Sequence, residues 1–272
     1  MSSTLPLLLE PQTLAQRLGE PQLLVIDLGK AQVFQQAHIP GAVHLDHRAL
    51  QKGSQPAPGL LPDKESLEAL FSDLGLTPET HVVACDDEGG GWAGRLLWVL
   101  ESIGHTRYSW LNGGIHAWLA EGLPTDMHSE QRVASEYRIE RILEHTDITL
   151  EELLGRIGDP TVAIWDARSE EEFAGLRAYA QKAGHIPGAI HYEWTEPMDR
   201  GRHLRIRDLD AVRTEMAQLG LTEDKEIIVH CQTHHRSSYS WLVGRLLGLN
   251  IRGYAGSWSE WGNHPDTPVE KY

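Results

Sequence analysis

The sequence predicts an α/β fold built twice: two homologous domains, each a mainly parallel β-sheet flanked by helices. Three observations lead there. The 272 residues are long for one compact domain and comfortable for two. Several segments recur about half a chain apart. Within each half, short apolar runs alternate with helical patterns, the order that builds parallel sheets.

The recurrences are specific. Gly19-Glu-Pro21 and Leu23-Leu-Val-Ile-Asp27 match Gly158-Asp-Pro160 and Val162-Ala-Ile-Trp-Asp166. His38-Ile-Pro-Gly-Ala42 returns letter for letter as His185-Ile-Pro-Gly-Ala189, and Leu74-Gly-Leu-Thr77 as Leu219-Gly-Leu-Thr222. Asn112-Gly-Gly-Ile-His-Ala-Trp118 corresponds to Ala255-Gly-Ser-Trp-Ser-Glu-Trp261. So long a period excludes a solenoid. The polar stretch from Pro124 to Glu136 follows the breaker Gly122-Leu-Pro124 and reads as the join. The expected boundaries are a first domain at 1–124, a linker at 125–138 and a second domain at 139–272.

In chain order, Leu23 to Ile26 reads as a buried strand and Ser66 to Leu74 as a helix. His81 to Ala84, Trp92 to Ile103 and Arg107 to Leu111 follow as strand, helix and strand. The second half repeats the order: strand Val162 to Trp165, helix Val212 to Leu219, strand Glu226 to His230, helix Ser237 to Leu247 and strand Ile251 to Tyr254. In such sheets ligands bind outside the carboxyl ends of the strands.

Composition narrows the function. Hydrophobic residues are 40% and charged residues 23%, as in soluble globular proteins. No apolar run approaches the roughly 20 residues that span a bilayer. The stretch from Met1 to Glu10 lacks a basic n-region and a small-residue cleavage site, so a cytoplasmic protein is expected. A net charge of −15 argues against nucleic acid and anionic membranes as partners. It also requires that any site for a small anion be built locally. Cys85 and Cys231 lie in different halves and form no Cys-x-x-Cys pair, which argues against a disulfide framework, a dithiol oxidoreductase and a cysteine-rich zinc site.

One loop carries the chemistry. Cys231 ends the strand that begins at Glu226, and a helix starts at Ser237. Between them stand Gln232, Thr233, His234, His235 and Arg236. Free N–H groups at a helix start attract anions, and a thiolate there falls from a pKa of about 8.5 towards about 3.5–7.5. A fall of two units is worth about 2.7 kcal/mol. The helix terminus supplies roughly 0.3–1 kcal/mol, so loop amides and the permanent charge of Arg236 must supply the rest. His234 and His235 add charge only when protonated. The plain alternative is a buried core cysteine at a strand end. Five polar residues followed by a helix argue against it. The duplicate half is an internal control: alignment sets Asp86 opposite Cys231, followed by the acidic, glycine-rich Asp87-Glu-Gly-Gly-Gly91. That half has the scaffold without the chemistry. Cys85, one residue earlier, should point away into the core.

With these residues in view, the chain resembles the two-domain rhodaneses, the thiosulfate sulfurtransferases, over essentially its whole length. The resemblance rests on His-Ile-Pro-Gly-Ala at 38–42 and 185–189, on Gly256 to Gly262, and on one cysteine after a strand in the second half only. The loop Cys-Gln-Thr-His-His-Arg looks like that of the Azotobacter-type bacterial enzymes. The resemblance implies two rhodanese-like domains, the second catalytic, and a ping-pong cycle. Cys231 attacks the outer sulfur of thiosulfate, releases sulfite and passes its persulfide sulfur to cyanide or a thiol. The amides of Gln232 to Ser237 would cradle that sulfur. No metal or organic cofactor is implied.

The sequence departs from the family at some positions. Gln232 and Thr233 stand where commoner loops carry arginine and lysine, and where mercaptopyruvate enzymes carry Gly-Ser or Gly-Thr. Pro187 stands where the vertebrate enzyme has a substrate-contacting arginine. The basic run Arg200-Gly-Arg-His-Leu-Arg-Ile-Arg207 is a candidate replacement for that charge, with a solvated surface as the equal alternative. Trp194 is a candidate pocket lining or a packing residue. Asp27, Asp166, His38 and His185 occur in both halves and are expected to organise loops, and Arg168 to pair structurally. Three other functions compete. A cysteine phosphatase needs a longer loop than the four residues between Cys231 and Arg236. A zinc site of His230, Cys231, His234 and His235 would have its ligands scattered in direction. A sulfur carrier would deliver only to a docked, basic acceptor protein. A 3-mercaptopyruvate sulfurtransferase is the nearest variant of the enzyme itself, and a monomer is expected.

Overall fold

Leu23–Asp27 and His81–Cys85 are buried at every position. A strand hidden on both faces needs cover on both, which a parallel sheet between helices supplies. The computed structural model describes residues 5–128 and 132–271. Among them the strands run β1 (Leu8–Leu9), β2 (Leu23–Asp27), β3 (Val43–His44), β4 (His81–Cys85), β5 (Tyr108–Leu111), β6 (Val162–Asp166), β7 (Ile190–His191), β8 (Met198–Asp199), β9 (Arg205–Ile206), β10 (Glu226–His230) and β11 (Ile251–Gly253).

Two compact units divide the chain. The first comprises the residues up to Leu50, Pro62–Leu143 and Met198–Ile206. Its sheet has the order β1-β5-β4-β2-β3, parallel throughout. The second comprises Gln51–Leu61, Glu144–Pro197 and Arg207–Tyr272, with a parallel sheet in the order β11-β10-β6-β7. The units therefore do not follow chain order, because a short segment of each half belongs to the other. The main division falls between Leu143 and Glu144, after Tyr137 has packed edge-on against Phe71 and Ser135 has bonded to Ser72 in the first unit.

The expected elements form with bounds shifted by at most three residues, and the strand Glu226–His230 forms without any shift. The helices are Lys64–Asp73, Gly91–Ser102, Leu209–Leu219 and Arg236–Leu246. The first and third start where Asp63 and Asp208 accept the amides of Ser66 and Ala211, a standard carboxylate N-cap. The two-residue strands β1, β3, β7, β8 and β9 lie outside the sequence expectations, since so short a segment carries no periodicity. The first core gathers Val25, Phe34, Val83, Cys85, Leu111 and Trp118. The second gathers Ile164, Phe173, Ile186, Ile228, Trp258 and Trp261. Each such side chain contributes roughly 1.5–3 kcal/mol through burial. Among the described residues no helix is long and apolar enough to cross a membrane.

Candidate functional site

β10 lies between β6 and β11, so its carboxyl end opens at the middle of the second sheet. Cys231 follows directly and is buried, and the helix Arg236–Leu246 begins five residues later. The loop between them turns at His234, whose backbone is left-handed at φ 55°, a costly conformation for a residue with a Cβ. Local bonds hold it. His234 Nδ1 lies 2.8 Å from Ser237 Oγ, and the Ser238 hydroxyl donates to the His234 carbonyl.

The segment around Ser257 braces the loop from below. Trp258 N–H donates to the Cys231 carbonyl and Ser259 N–H to the Gln232 carbonyl, both at 2.9 Å. Ser257 Oγ donates to the Tyr254 carbonyl at 2.8 Å and accepts the Cys231 N–H at 3.4 Å. The Gly-Ser-Trp-Ser motif near the C-terminus thus has a physical role as the floor of the cysteine loop.

The first unit shows what such a loop does. Asp86 is buried in the position of Cys231, and its Oδ1 accepts the amides of Glu88, Gly89 and Gly90 at 3.2, 3.0 and 2.9 Å. Its Oδ2 accepts Ala93 N–H at 2.9 Å. The loop is therefore an anion cradle, and in this half a carboxylate of the chain already fills it. Burial, helped by Glu88, raises the pKa of Asp86 to about 6 although the amides pull the other way.

In the second unit the group at that position is a thiol. Burial pushes its pKa up. The Arg236 guanidinium, the Ser237 hydroxyl and the backbone N–H groups of Ser237 and Thr233 outweigh burial and leave the thiol below its ordinary value. Cys85 is the opposite case. It points into the first core, where burial, with Asp27 and Asp86 nearby, pushes its thiol well above the ordinary value. The two thiols are thus shifted in opposite directions.

Arg236 does not act alone. Its guanidinium donates to both carboxylate oxygens of Glu172, at 2.6 and 2.9 Å. Glu172 is buried and also closes a capping box with Ser169 at the helix Glu170–Phe173. Burial raises its pKa, but Arg236 outweighs that and holds it below the usual range. Sequence reasoning missed Glu172, although the Ser-x-x-Glu spacing at 169–172 was its signal.

The other loop residues are placed as follows. Gln232 Nε2 donates to the Tyr179 carbonyl at 3.3 Å. The His235 ring lies 5.9 Å from the half-buried Trp194 ring, which meets Tyr239 edge-on at 6.2 Å. Beneath the loop, buried Arg168 forks onto Asp166, with Nε–Oδ1 at 2.9 Å and Nη2–Oδ2 at 2.5 Å. It also stacks over Trp258 at 4.2 Å and donates to the Gly184 carbonyl at 2.7 Å. Burial works against the Asp166 carboxylate, but His230 and Arg168 prevail and lower its pKa to about 2. Arg168 is thus a structural partner. Asp27 has Gly29 where Asp166 has Arg168, and its Oδ1 accepts that glycine's amide at 2.7 Å. His38 and His185 repeat one arrangement: each Nδ1 donates to a phenylalanine carbonyl, Phe34 at 2.7 Å and Phe173 at 2.8 Å, and each ring stacks on that phenyl.

The basic run from Arg200 to Arg207 is divided between the two units. Residues 198–206 form the antiparallel hairpin β8–β9 and belong to the first unit. Arg205 is paired there with Glu10 and Glu121. Arg207, in the second unit, is paired with Glu215. These two arginines are thus engaged in ion pairs within their own units. The candidate zinc ligands also diverge. His230 Nε2 faces Asp166 at 3.6 Å while His234 Nδ1 faces Ser237, and among the described residues no group of three or more ligating side chains is placed to hold a metal.

The rhodanese-like domain family matches residues 10–121 and again 149–264. The chain is 51% identical over 270 residues to a thiosulfate sulfurtransferase of Pseudomonas aeruginosa and 50% identical over 269 residues to that of Azotobacter vinelandii, covering 98% of both chains in each case. Among solved structures, YnjE superposes with a TM-score of 0.85 at 22% identity over 97% of this chain and 70% of that one. An anaerobic ergothioneine biosynthesis enzyme from Chlorobium limicola superposes with a TM-score of 0.84, also at 22% identity, over 97% and 70%. At that identity the superpositions speak for the fold alone.

Proposed function

The chain belongs to the rhodanese-like domain family, and on that footing we propose that it is a thiosulfate sulfurtransferase working through a persulfide on Cys231. The observation that carries this is the thiol held below its ordinary pKa, although buried, at the mouth of an anion cradle. In the first half-reaction the Cys231 thiolate attacks the outer sulfur of thiosulfate. A new S–S bond forms on Sγ, the sulfur–sulfur bond of thiosulfate breaks, and sulfite leaves with its electron pair. In the second, cyanide or a thiolate attacks the terminal sulfur, and Cys231 leaves as the thiolate. No external oxidant or reductant enters, and an ionised thiol needs no general base.

The loop residues Gln232, Thr233, His234, His235, Arg236 and Ser237 are the proposed substrate-binding set, with backbone amides on the transferred sulfur and the developing charge. Trp194 is the proposed pocket lining. The donor and acceptor are proposed to be small molecules, with an acceptor protein as a further recipient. The proposed setting is the cytoplasm, whose reducing thiol pool keeps Cys231 available.

The test is intact-mass spectrometry after incubation with thiosulfate and removal of the excess, with Cys231→Ala alongside. One added sulfur is expected on the wild type alone, discharged by cyanide as thiocyanate. A reduced, folded wild type that gains no sulfur would overturn thiosulfate as the donor.

A further inference from the structure

Segment Gln51–Leu61 stands in the chain between two parts of the first unit and belongs to the second. It is a tight turn. Lys52 N–H donates to the Leu60 carbonyl at 2.9 Å and Gly53 N–H to the Pro58 carbonyl at 3.1 Å, while Ser54 bridges to Ala57. Residues 52–56 are exposed, but Ala57 and Gly59 are buried. The three atoms nearest a methyl group on Gly59 would all be backbone: the Thr233 carbonyl oxygen at 2.2 Å, its carbon at 2.7 Å and the Ala255 carbonyl oxygen at 2.8 Å. These atoms cannot swing aside as a side-chain tip does. Gly59 is thus the point at which the segment bears on the loop after Cys231.

The first unit repeats the arrangement. Segment Met198–Ile206, which follows β7 as Gln51–Leu61 follows β3, belongs to the first unit. A Cβ at Gly89 in the Asp86 loop would lie 3.0 Å from Met198 Sδ and 3.1 Å from Leu204 Cβ. Each loop is backed by the same stretch of the opposite half-sequence. That recurrence marks the backing as part of the loop's construction.

We propose that Gly59 is a positioning residue for the Cys231 reaction: by abutting the Thr233 carbonyl it sets the peptide planes on either side of Thr233, including the N–H that serves the thiolate. The inference rests on Cys231 being the reacting group. Thr233 immediately precedes His234, whose left-handed backbone would relax if its neighbour were free to rotate. The role assigned to Gly59 is thus exerted through Thr233 and not by contact with the reacting atoms.

The test uses the full chain with Gly59→Ala, Pro58→Gly and, as a core lesion elsewhere in the second unit, Ile148→Val. The readout is the pH profile of Cys231 alkylation by iodoacetamide, which needs no thiosulfate. Gly59→Ala is expected to raise the midpoint by about half a pH unit or more and to lower kcat/KM for thiosulfate about tenfold. Pro58→Gly, which loosens the turn without adding atoms, is expected to raise the midpoint by less. Ile148→Val should lower the melting temperature and leave the midpoint in place. An unmoved midpoint in Gly59→Ala overturns the proposal. Should that variant fail to fold, an unmoved midpoint in Pro58→Gly does the same. A wild type that alkylates as described yet takes no sulfur from thiosulfate would instead refute the proposed function.

Discussion

At Cys231 a single guanidinium is shared between a thiol and a carboxylate. Arg236 lowers the thiol's pKa, and Glu172 draws on the same charge. Two substitutions should therefore move the thiol in opposite directions. Arg236→Gln removes the cation and is expected to raise the alkylation midpoint by about one pH unit, whereas Glu172→Gln removes a competing anion and is expected to lower it by less. Alkylation kinetics against pH check both signs. The buried aspartates differ in sign as well. Asp86 has a folded pKa raised to about 6, so its contribution to stability is full below the ordinary carboxylate value and is lost as pH rises through about 6. Asp166, lowered to about 2, contributes above the ordinary value and loses that contribution only as pH falls towards 2. Between pH 5 and 7.5 Asp86 is expected to cost roughly 1 kcal/mol, a slope that Asp86→Asn should remove in denaturant titrations. The sequence set Asp86 opposite Cys231. That its carboxylate would fill the cradle depended on amide directions that no alignment contains.

The largest difference in element length between the halves lies beside the candidate site. Residues 35–37 join Phe34 to His38, whereas residues 174–184 join Phe173 to His185. The phenyl–imidazole stacks are nonetheless alike, with ring centroids 3.8 and 3.9 Å apart. The longer connection carries Leu176, 82% exposed, and Tyr179, 61% exposed, and its Tyr179 carbonyl holds Gln232. Lys182 ties its far end to the C-terminal segment. The ammonium donates to the carbonyls of His264, Pro265 and Thr267 at 2.6, 2.9 and 2.7 Å. Lys182→Met is expected to destabilise the protein by about 1–3 kcal/mol, with the loss showing first as faster amide exchange and proteolysis at 174–183. A uniform rise in exchange across the second unit would show instead that the tether is not local. The insertion was countable from the two copies of His-Ile-Pro-Gly-Ala. Its anchor was not, because a lysine near a glycine reads as solvated until the carbonyls it meets are known.

For the molecule as a whole, a net charge of −15 opposes the approach of a dianion such as thiosulfate. Raising ionic strength from about 10 to about 150 mM should screen that repulsion and increase kcat/KM for thiosulfate a few-fold, whereas transfer to a neutral thiol should change little. Steady-state kinetics in sodium chloride would show this, and a fall with salt would point to a locally positive approach. The twofold α/β plan, the placement of Cys231 at a strand end before a helix, and the acidic counterpart at Asp86 were all legible in the sequence. Each depends on residues adjacent in the chain, or on one half compared with the other, and side-chain periodicity records such relations directly. The tertiary structure alone decided the surroundings of the loop. It set Glu172 on Arg236, Ser257 under Cys231 and Gly59 against Thr233, and it paired Arg205 with Glu10. Those partners lie from tens of residues to most of the chain apart. Which distant residues meet is settled by how helices and sheets pack, and a single sequence carries no local pattern from which that can be read.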